Sequence, residues 1–345
     1  MGEDRLRAWI REDFGVELTA LDRVDHGLDT AAAVWCGTGS GGDRYAVKWS
    51  GGGSTAGLLV PARLAALGVP GIAAPLTARS GKPWSEREGR RLSLVPWVSD
   101  EGALGRMTER HWQSFGALLA RVHAAPAGMA DLLPRERRDH ERWAAEVRSL
   151  DERLRAPSGD HLVRALAADW RTASGRIGDL LEQAGDLAGR LPDRPGVVCH
   201  GDPHLGNVLV RGDERVWLID WDDAVLAPPE LDLMFVLGGV LYFAPVGPRE
   251  QAWFFDGYGP VDLDPALVAY YRSMRALEDL TELAAQVGDV TGYPESERAE
   301  ALAHFRGVLS PTGLADLALS SPAMSRNPER LRLPDERVHS GHPAG

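Results

Sequence analysis

Along the first hundred residues the apolar positions change their period several times. Leu6, Trp9, Ile10 and Phe14 recur at helical spacing, which predicts a short amphipathic helix over 3–14. From 18 to 49 the pattern shortens to alternating runs separated by glycine. It predicts strands over 18–25, 30–37 and 43–49, joined as an antiparallel meander. A helix over 55–67 should follow, stopped by Gly68, and then strands near 72–78 and 91–97. Beyond Trp97 the period becomes helical. Over 108–124 it gathers Trp112, Phe115, Leu118, Leu119 and Val122 on one face. Further helices are expected over 139–155 and 160–191. Val197-Val-Cys199 is an apolar approach to a polar cluster, short strands at 208–210 and 216–219 flank a turn at Gly212-Asp213, and helices resume near 230–243, 265–288 and 294–306. From Ser321 the chain is rich in Pro, Arg, Ser, His and Gly, the composition of a disordered tail. The expected organisation is a β-rich lobe at 1–97, a mostly helical lobe at 98–320 and a tail at 321–345.

Composition narrows the class. With 345 residues, 44% of them hydrophobic, the chain can bury two cores without staples. No apolar run reaches about 18 residues, so a membrane span is not expected. The charged start, Met1-Gly-Glu-Asp-Arg, lacks the apolar centre of a signal peptide. Cys36 and Cys199 lie far apart and match no metal or disulfide spacing, which points to a reducing, cytoplasmic setting. The net charge of -12 is unevenly spread. Residues 201–320 hold 20 acids against 7 bases, while 1–100 and 101–200 each balance. Such a field repels nucleic acid and anionic membranes and concentrates cations. Of 38 basic residues only Lys48 and Lys82 are lysine. Lys82 sits in a turn, but Lys48 lies inside the strand-like Tyr45-Ala-Val-Lys-Trp49.

The informative cluster is His200-Gly-Asp-Pro-His-Leu-Gly-Asn207, followed by Leu218-Ile-Asp-Trp-Asp222. It fits the H-x-D-x-x-x-x-N pattern of kinase catalytic loops, with a second acid after a hairpin. Phosphoryl transfer needs a carboxylate at the attacking hydroxyl, a metal on the phosphates and a cation beside them. Asp202 suits the first task. Asn207 and Asp220 offer a neutral and a charged hard oxygen to Mg²⁺. Lys48, on a strand of the other lobe, suits the phosphates as a point charge.

On these residues, together with Pro228-Pro-Glu-Leu-Asp232-Leu-Met234, the chain resembles the aminoglycoside phosphotransferases and related small-molecule kinases. Asp220-Trp-Asp-Asp223 and Glu230–Met234 look most similar to the spectinomycin phosphotransferase branch. The resemblance covers roughly 20–310. It implies an α+β, protein-kinase-like bilobal fold, with a small β-rich nucleotide-binding lobe and a larger, mostly helical lobe for catalysis and substrate. It also implies ATP or GTP as phosphoryl donor, Mg²⁺, and a hydroxyl acceptor on a cationic small molecule. Trp97 or Val98 would then offer backbone to the adenine, since Pro96 has no N–H. Asp222, Asp223, Glu278 and Glu282 become candidates for the acceptor's ammonium groups, although a solvated helix face is the commoner role for the last two. His200 and Asp232 would brace the loop. Trp221 and Trp253 are candidate stacking surfaces. Monomer and homodimer are both compatible with the sequence.

Several features compete with this reading. Gly37-Thr-Gly-Ser-Gly-Gly42 matches G-x-G-x-x-G, but a strand follows where a dinucleotide site needs a helix, so it is read as a hairpin turn. The nucleotide-covering loop is placed at 26–30, with Gly27 against phosphate or simply as a turn glycine. His200 and His204 cannot be a helical zinc pair with Gly201 and Pro203 between them. A metallophosphoesterase would want His directly after Asn207, where Val208 stands. Kinase-like folds pair the strand lysine with an acid on the next helix, yet no Asp or Glu occurs between Asp43 and Glu86. That gap keeps a non-catalytic nucleotide-binding pseudokinase in view. A metabolic kinase of choline, homoserine or a sugar would share the chemistry of an antibiotic kinase.

Overall fold

The computed structural model describes residues 2–24, 32–157 and 159–320. Helix α1 (Glu3–Phe14) lies against strands β1 (Leu18–Arg23), β2 (Ala32–Gly39) and β3 (Arg44–Ser50). Helix α2 (Ala56–Ala66) follows, then β4 (Ser85–Arg87) and β5 (Arg90–Pro96). The five strands form one antiparallel sheet in the order β1-β2-β3-β5-β4. Leu6 and Ile10 of α1 close with Leu21, Trp35, Val47, Leu92 and Leu94 into one core. Lys48 sits mid-strand, opposite Val34 on one side and Ser93 on the other.

Two details of this sheet differ from expectation. Residues 72–78 do not form a sheet strand; Pro75 in the middle of the stretch removes a ladder donor. That stretch meets the sheet through the Leu76 side chain and through the Leu76 N–H on the Leu94 carbonyl, and Ile72 instead bridges to Leu218. The fifth strand is β4, joined to β5 by Glu88-Gly89, both at positive φ as a tight hairpin requires. The glycine-rich hairpin is also shorter than expected. Strand β2 runs on to Gly39, and the turn is 40–43.

The rest of the chain is mostly helical. It comprises β6 (Glu101–Gly102), α3 (Glu109–His123), α4 (His140–Arg155), α5 (His161–Ala188), β7 (Val197–Cys199), β8 (Val208–Arg211), β9 (Arg215–Leu218) and β10 (Val225–Ala227). Helices α6 (Glu230–Leu233), α7 (Pro248–Tyr258), α8 (Pro265–Gly288), α9 (Glu295–Val308) and α10 (Leu314–Leu319) complete it. Polar caps fix the starts that matter: Thr108 for α3, Asp139 for α4, Asp160 for α5 and Asp264 for α8. The helix expected over 230–243 ends at Leu233; turns follow, and positive φ at Gly238 and Gly239 keeps the helix from resuming across them. Helices α7 and α10 were not anticipated. One core joins α4, α5, α8, α9 and α10 through residues such as Trp170, Leu277 and Phe305. A second, around Phe115, Leu119, Val210, Leu218 and Phe254, supports the strands that carry the site. Cys36 and Cys199 are buried and free. No helix among the described residues is long and apolar enough to cross a membrane.

Helices α3 and α7 meet through facing glycines. A Cβ on Gly116 would lie 2.0 Å from the Phe254 carbonyl oxygen, and one on Gly257 would lie 1.9 Å from that of Gln113. Backbone atoms cannot step aside, so Gly116→Ala should cost about 3 kcal/mol, read as a lower urea midpoint. Gly175→Ala, at an open position in α5, should instead stabilise by about 0.5–1 kcal/mol.

Candidate active site

The site begins where β7 ends. Buried Asp232 of α6 accepts the backbone N–H of His200 and of Gly201, each at 2.8 Å, one on each carboxylate oxygen. His123 of α3 approaches the same carboxylate at 3.0 Å through Nε2, and its Nδ1 meets the Tyr258 hydroxyl of α7 at 2.7 Å. The close crossing of α3 and α7 thus sets the anchor of the loop. Gly201 has φ of +90°, and a Cβ there would sit 2.2 Å from the Asp223 carbonyl oxygen, so only glycine fits. The His200 ring is buried. Its Nδ1 accepts the Asp202 N–H at 3.2 Å, so Nε2 carries the proton and donates to the Ile219 carbonyl at 3.0 Å. Burial lowers its pKa and keeps it neutral, although nearby acids pull the other way. Trp221 packs edge-on against this ring with centroids 4.6 Å apart. It is buried with its indole N–H on the Leu218 carbonyl, and it offers no open stacking face. Trp253 is partly buried against the second core, with Arg249 over its ring.

The hairpin β8–β9 returns the chain from Asn207 to Asp220. Val208 pairs with Leu218, and the Ile219 N–H donates to the Asn207 carbonyl at 3.0 Å. Asp220 therefore stands beside Asn207. Its φ is +60°, a costly conformation for a residue with a side chain, of the kind that collects at functional sites. The Asn207 amide donates to the carbonyl of Asp202 at 2.9 Å and to its Oδ2 at 3.1 Å. Those bonds leave the amide oxygen as the acceptor. With the exposed Asp220 carboxylate it forms a hard-oxygen pair suited to Mg²⁺.

Lys48 reaches this pair from the sheet. Its Nζ lies 2.6 Å from Asp222 Oδ2 and 3.2 Å from Asp220 Oδ1. Burial lowers its pKa, but the two carboxylates outweigh that and hold the ammonium charged. Asp222, expected on the acceptor side, is thus engaged by the lysine. At the junction of the two regions the Trp97 N–H is already taken by the Arg44 carbonyl at 2.8 Å. The Val98 N–H makes no hydrogen bond among the described residues, which leaves Val98 as the backbone donor of the two. Arg44 also pairs with Asp100 at 2.6 Å, and the Trp97 indole donates to the same carboxylate at 2.8 Å. Gly27 lies outside the described residues.

On the other side of Asp202, α8 presents Arg275, Glu278, Asp279 and Glu282 along one face. Arg275 was not anticipated. Its Nη1 lies 2.9 Å from Asp202 Oδ1, and its Nε donates to Asp279 at 2.7 Å. The first contact is an ion pair off the hydrogen-bond direction, so buried Asp202 Oδ1 has no hydrogen-bond donor among the described residues. His204 Nε2 stands 3.4 Å from the other oxygen. Glu278 is half-buried. Burial first, then the crowding of Glu282, Asp279 and Asp223, pushes its pKa up to about 7 despite Arg275. Asp223 and Glu282 are exposed at the rim.

A sheet region joined to a helical region, with a carboxylate loop, a hard-oxygen pair and a strand lysine at their junction, defines a kinase-like phosphotransferase. Residues 60–277 match the model of the phosphotransferase enzyme family, and the chain belongs to that family. The spectinomycin phosphotransferase APH(9)-Ia, solved with ADP and spectinomycin, is similar at 25% identity and a TM-score of 0.83, over 93% of this chain and 98% of that one. The AMP-bound complex of the same enzyme matches at 23% identity and a TM-score of 0.79, over 92% and 98%. An amicoumacin kinase, solved with AMP-PNP, Ca²⁺ and Ami, shares the fold at 16% identity and a TM-score of 0.60, over 92% and 94%. The α+β kinase-like fold and the assignment as a phosphotransferase acting on an alcohol group stand on these matches.

Proposed function

We propose that the protein transfers the γ-phosphate of ATP or GTP to a hydroxyl of a cationic aminoglycoside or aminocyclitol antibiotic, and so confers resistance. The observation that carries the chemistry is Asp202. Its carboxylate is held in place at the loop, with the Asn207 amide on Oδ2 at 3.1 Å and Arg275 Nη1 2.9 Å from Oδ1, which suits a fixed proton acceptor for a substrate hydroxyl. Asn207 and Asp220 would hold Mg²⁺, which when bound neutralises charge on the phosphates. Lys48 steadies the α- and β-phosphates, and the Val98 N–H is offered to the base. His200 and Asp232 fix the loop. Glu278, Glu282 and Asp223 face the acceptor, and their charge suits ammonium groups. The likeness to a spectinomycin-bound relative supports this class of acceptor.

A coupled ADP-release assay over spectinomycin, streptomycin, hygromycin, kanamycin, choline and homoserine tests the reading. Turnover with one of the antibiotics is expected. Turnover with choline or homoserine alone keeps the chemistry and sinks the resistance role. Nucleotide binding with no turnover on any acceptor favours the pseudokinase.

The acceptor side also predicts a pH effect. A carboxyl with a raised pKa is neutral below it and charged above it, so Glu278 should help bind a cation only above about pH 7. The acceptor KM should therefore fall several-fold from pH 6 to 8, and Glu278→Gln should flatten that fall. Loss of protons from the acceptor's own amines would act in the opposite direction.

A further inference from the structure

We propose that Asp222 is the positioning residue for Lys48, doing from the other side of the cleft what an acid on the following helix does in kinase-like folds. The inference rests on the nucleotide site described above and adds a residue role to it. A lysine on a flexible four-carbon stem binds phosphate well only when something fixes its ammonium. Helix α2 reads Ala-Gly-Leu-Leu-Val-Pro-Ala-Arg-Leu-Ala-Ala and holds no acid. The shortest contact of Lys48 is with Asp222, 174 positions further along the chain.

Asp220 is the weaker candidate for this task. It is the more distant of the two from Lys48, its side chain is the more exposed at 52% against 34%, and it stands with Asn207 at the hard-oxygen pair. Metal held there would draw on Asp220 and leave Asp222 to the lysine. The surroundings of Asp222 are shaped for that task. A Cβ on Gly57, in the first turn of α2, would lie 2.6 Å from Asp222 Oδ1, 3.0 Å from its Cα and 3.1 Å from the Trp221 carbonyl oxygen. One on Gly53 would lie 3.6 Å from both Asp222 Cγ and Oδ2. The helix thus rests its bare backbone on Asp222, and the space a helix side chain would fill holds this carboxylate instead. The first turn of a helix also favours a negative group beside it.

The test is a double-mutant cycle on full-length protein, with Lys48→Ala, Asp222→Asn and the pair. The dissociation constant of a fluorescent ATP analogue is read by titration, and KM and kcat are read for nucleotide and for acceptor. Each single variant should weaken nucleotide binding about tenfold. The double variant should be no weaker than Lys48→Ala alone, because one interaction has been removed twice. The acceptor KM of Asp222→Asn should stay at the wild-type value, and its urea midpoint shows that the fold is retained. Multiplying effects on nucleotide binding, or a raised acceptor KM with unchanged nucleotide affinity, would overturn the proposal and return Asp222 to the acceptor side. Binding is read without acceptor, so a wrong choice of antibiotic leaves the cycle intact. Failure of the wild type itself to bind nucleotide would bring down the functional reading, and this inference with it.

Discussion

Asp202→Asn should lower kcat by about 10³-fold, within the range for loss of a positioned proton acceptor and equivalent to roughly 4 kcal/mol of barrier. The amide keeps the shape of the carboxylate but cannot take the proton of the attacking hydroxyl. Nucleotide affinity should hardly change, because Lys48, Asn207 and Asp220 are untouched. The fold should also survive. Arg275 loses one ionic partner at 2.9 Å but keeps Asp279 at 2.7 Å, and Asn207 still has the main-chain carbonyl of residue 202. Single-turnover rates with saturating nucleotide and acceptor check this directly. Retention of the rate within tenfold would remove Asp202 from the chemistry.

The largest effect on stability is expected at Asp232. This fully buried carboxylate accepts two backbone N–H groups and faces His123. Asp232→Ala leaves the His200 and Gly201 donors buried without acceptors and removes the partner of His123. An orphaned buried donor costs about 1–3 kcal/mol, so the variant should lose about 4 kcal/mol in urea denaturation. Asp232→Asn keeps one acceptor oxygen and turns an N–H₂ towards a donor, so it should fall between the two. A loss below about 1 kcal/mol for the alanine variant would mean that the loop is held by other bonds. Because the loop carries Asp202, activity of Asp232→Ala should fall even where the protein remains folded.

Most of the candidate site is legible in the chain because its parts lie close in sequence. His200 to Asn207 is one loop, and Asp220 follows at the end of a short hairpin whose turn and alternating strands are local signals. Lys48 stood out through the rarity of lysine in an arginine-rich chain. Its partner did not, since the ion pair with Asp222 spans two regions and no local pattern announces it. Arg275 was hidden for a different reason. Arg275 and Asp279 at i and i+4 look like an ordinary surface pair, and only packing of α8 against the loop turns the arginine towards Asp202. In the fold, long periodic helices were legible, as were strands with alternating residues. The edge strand Ser85–Arg87 was missed because it is three residues long and its turn, Glu88-Gly89, lacks the usual Asn or Asp. The overlong helix after Glu230 followed an apolar run that Gly238-Gly239 cuts short in space.

The hairpin that ties Asn207 to Asp220 also separates two kinds of adjustment. Their spacing is written into a two-stranded ladder, whose pairs run from Val208 with Leu218 to Arg211 with Arg215, and does not depend on how the sheet region sits above it. Lys48 is delivered from the sheet, on the other side of the cleft. Movement of one region over the other would therefore work like a clutch, making or breaking the contact of Lys48 with Asp220 and Asp222 while the gauge between the two oxygen donors stays fixed.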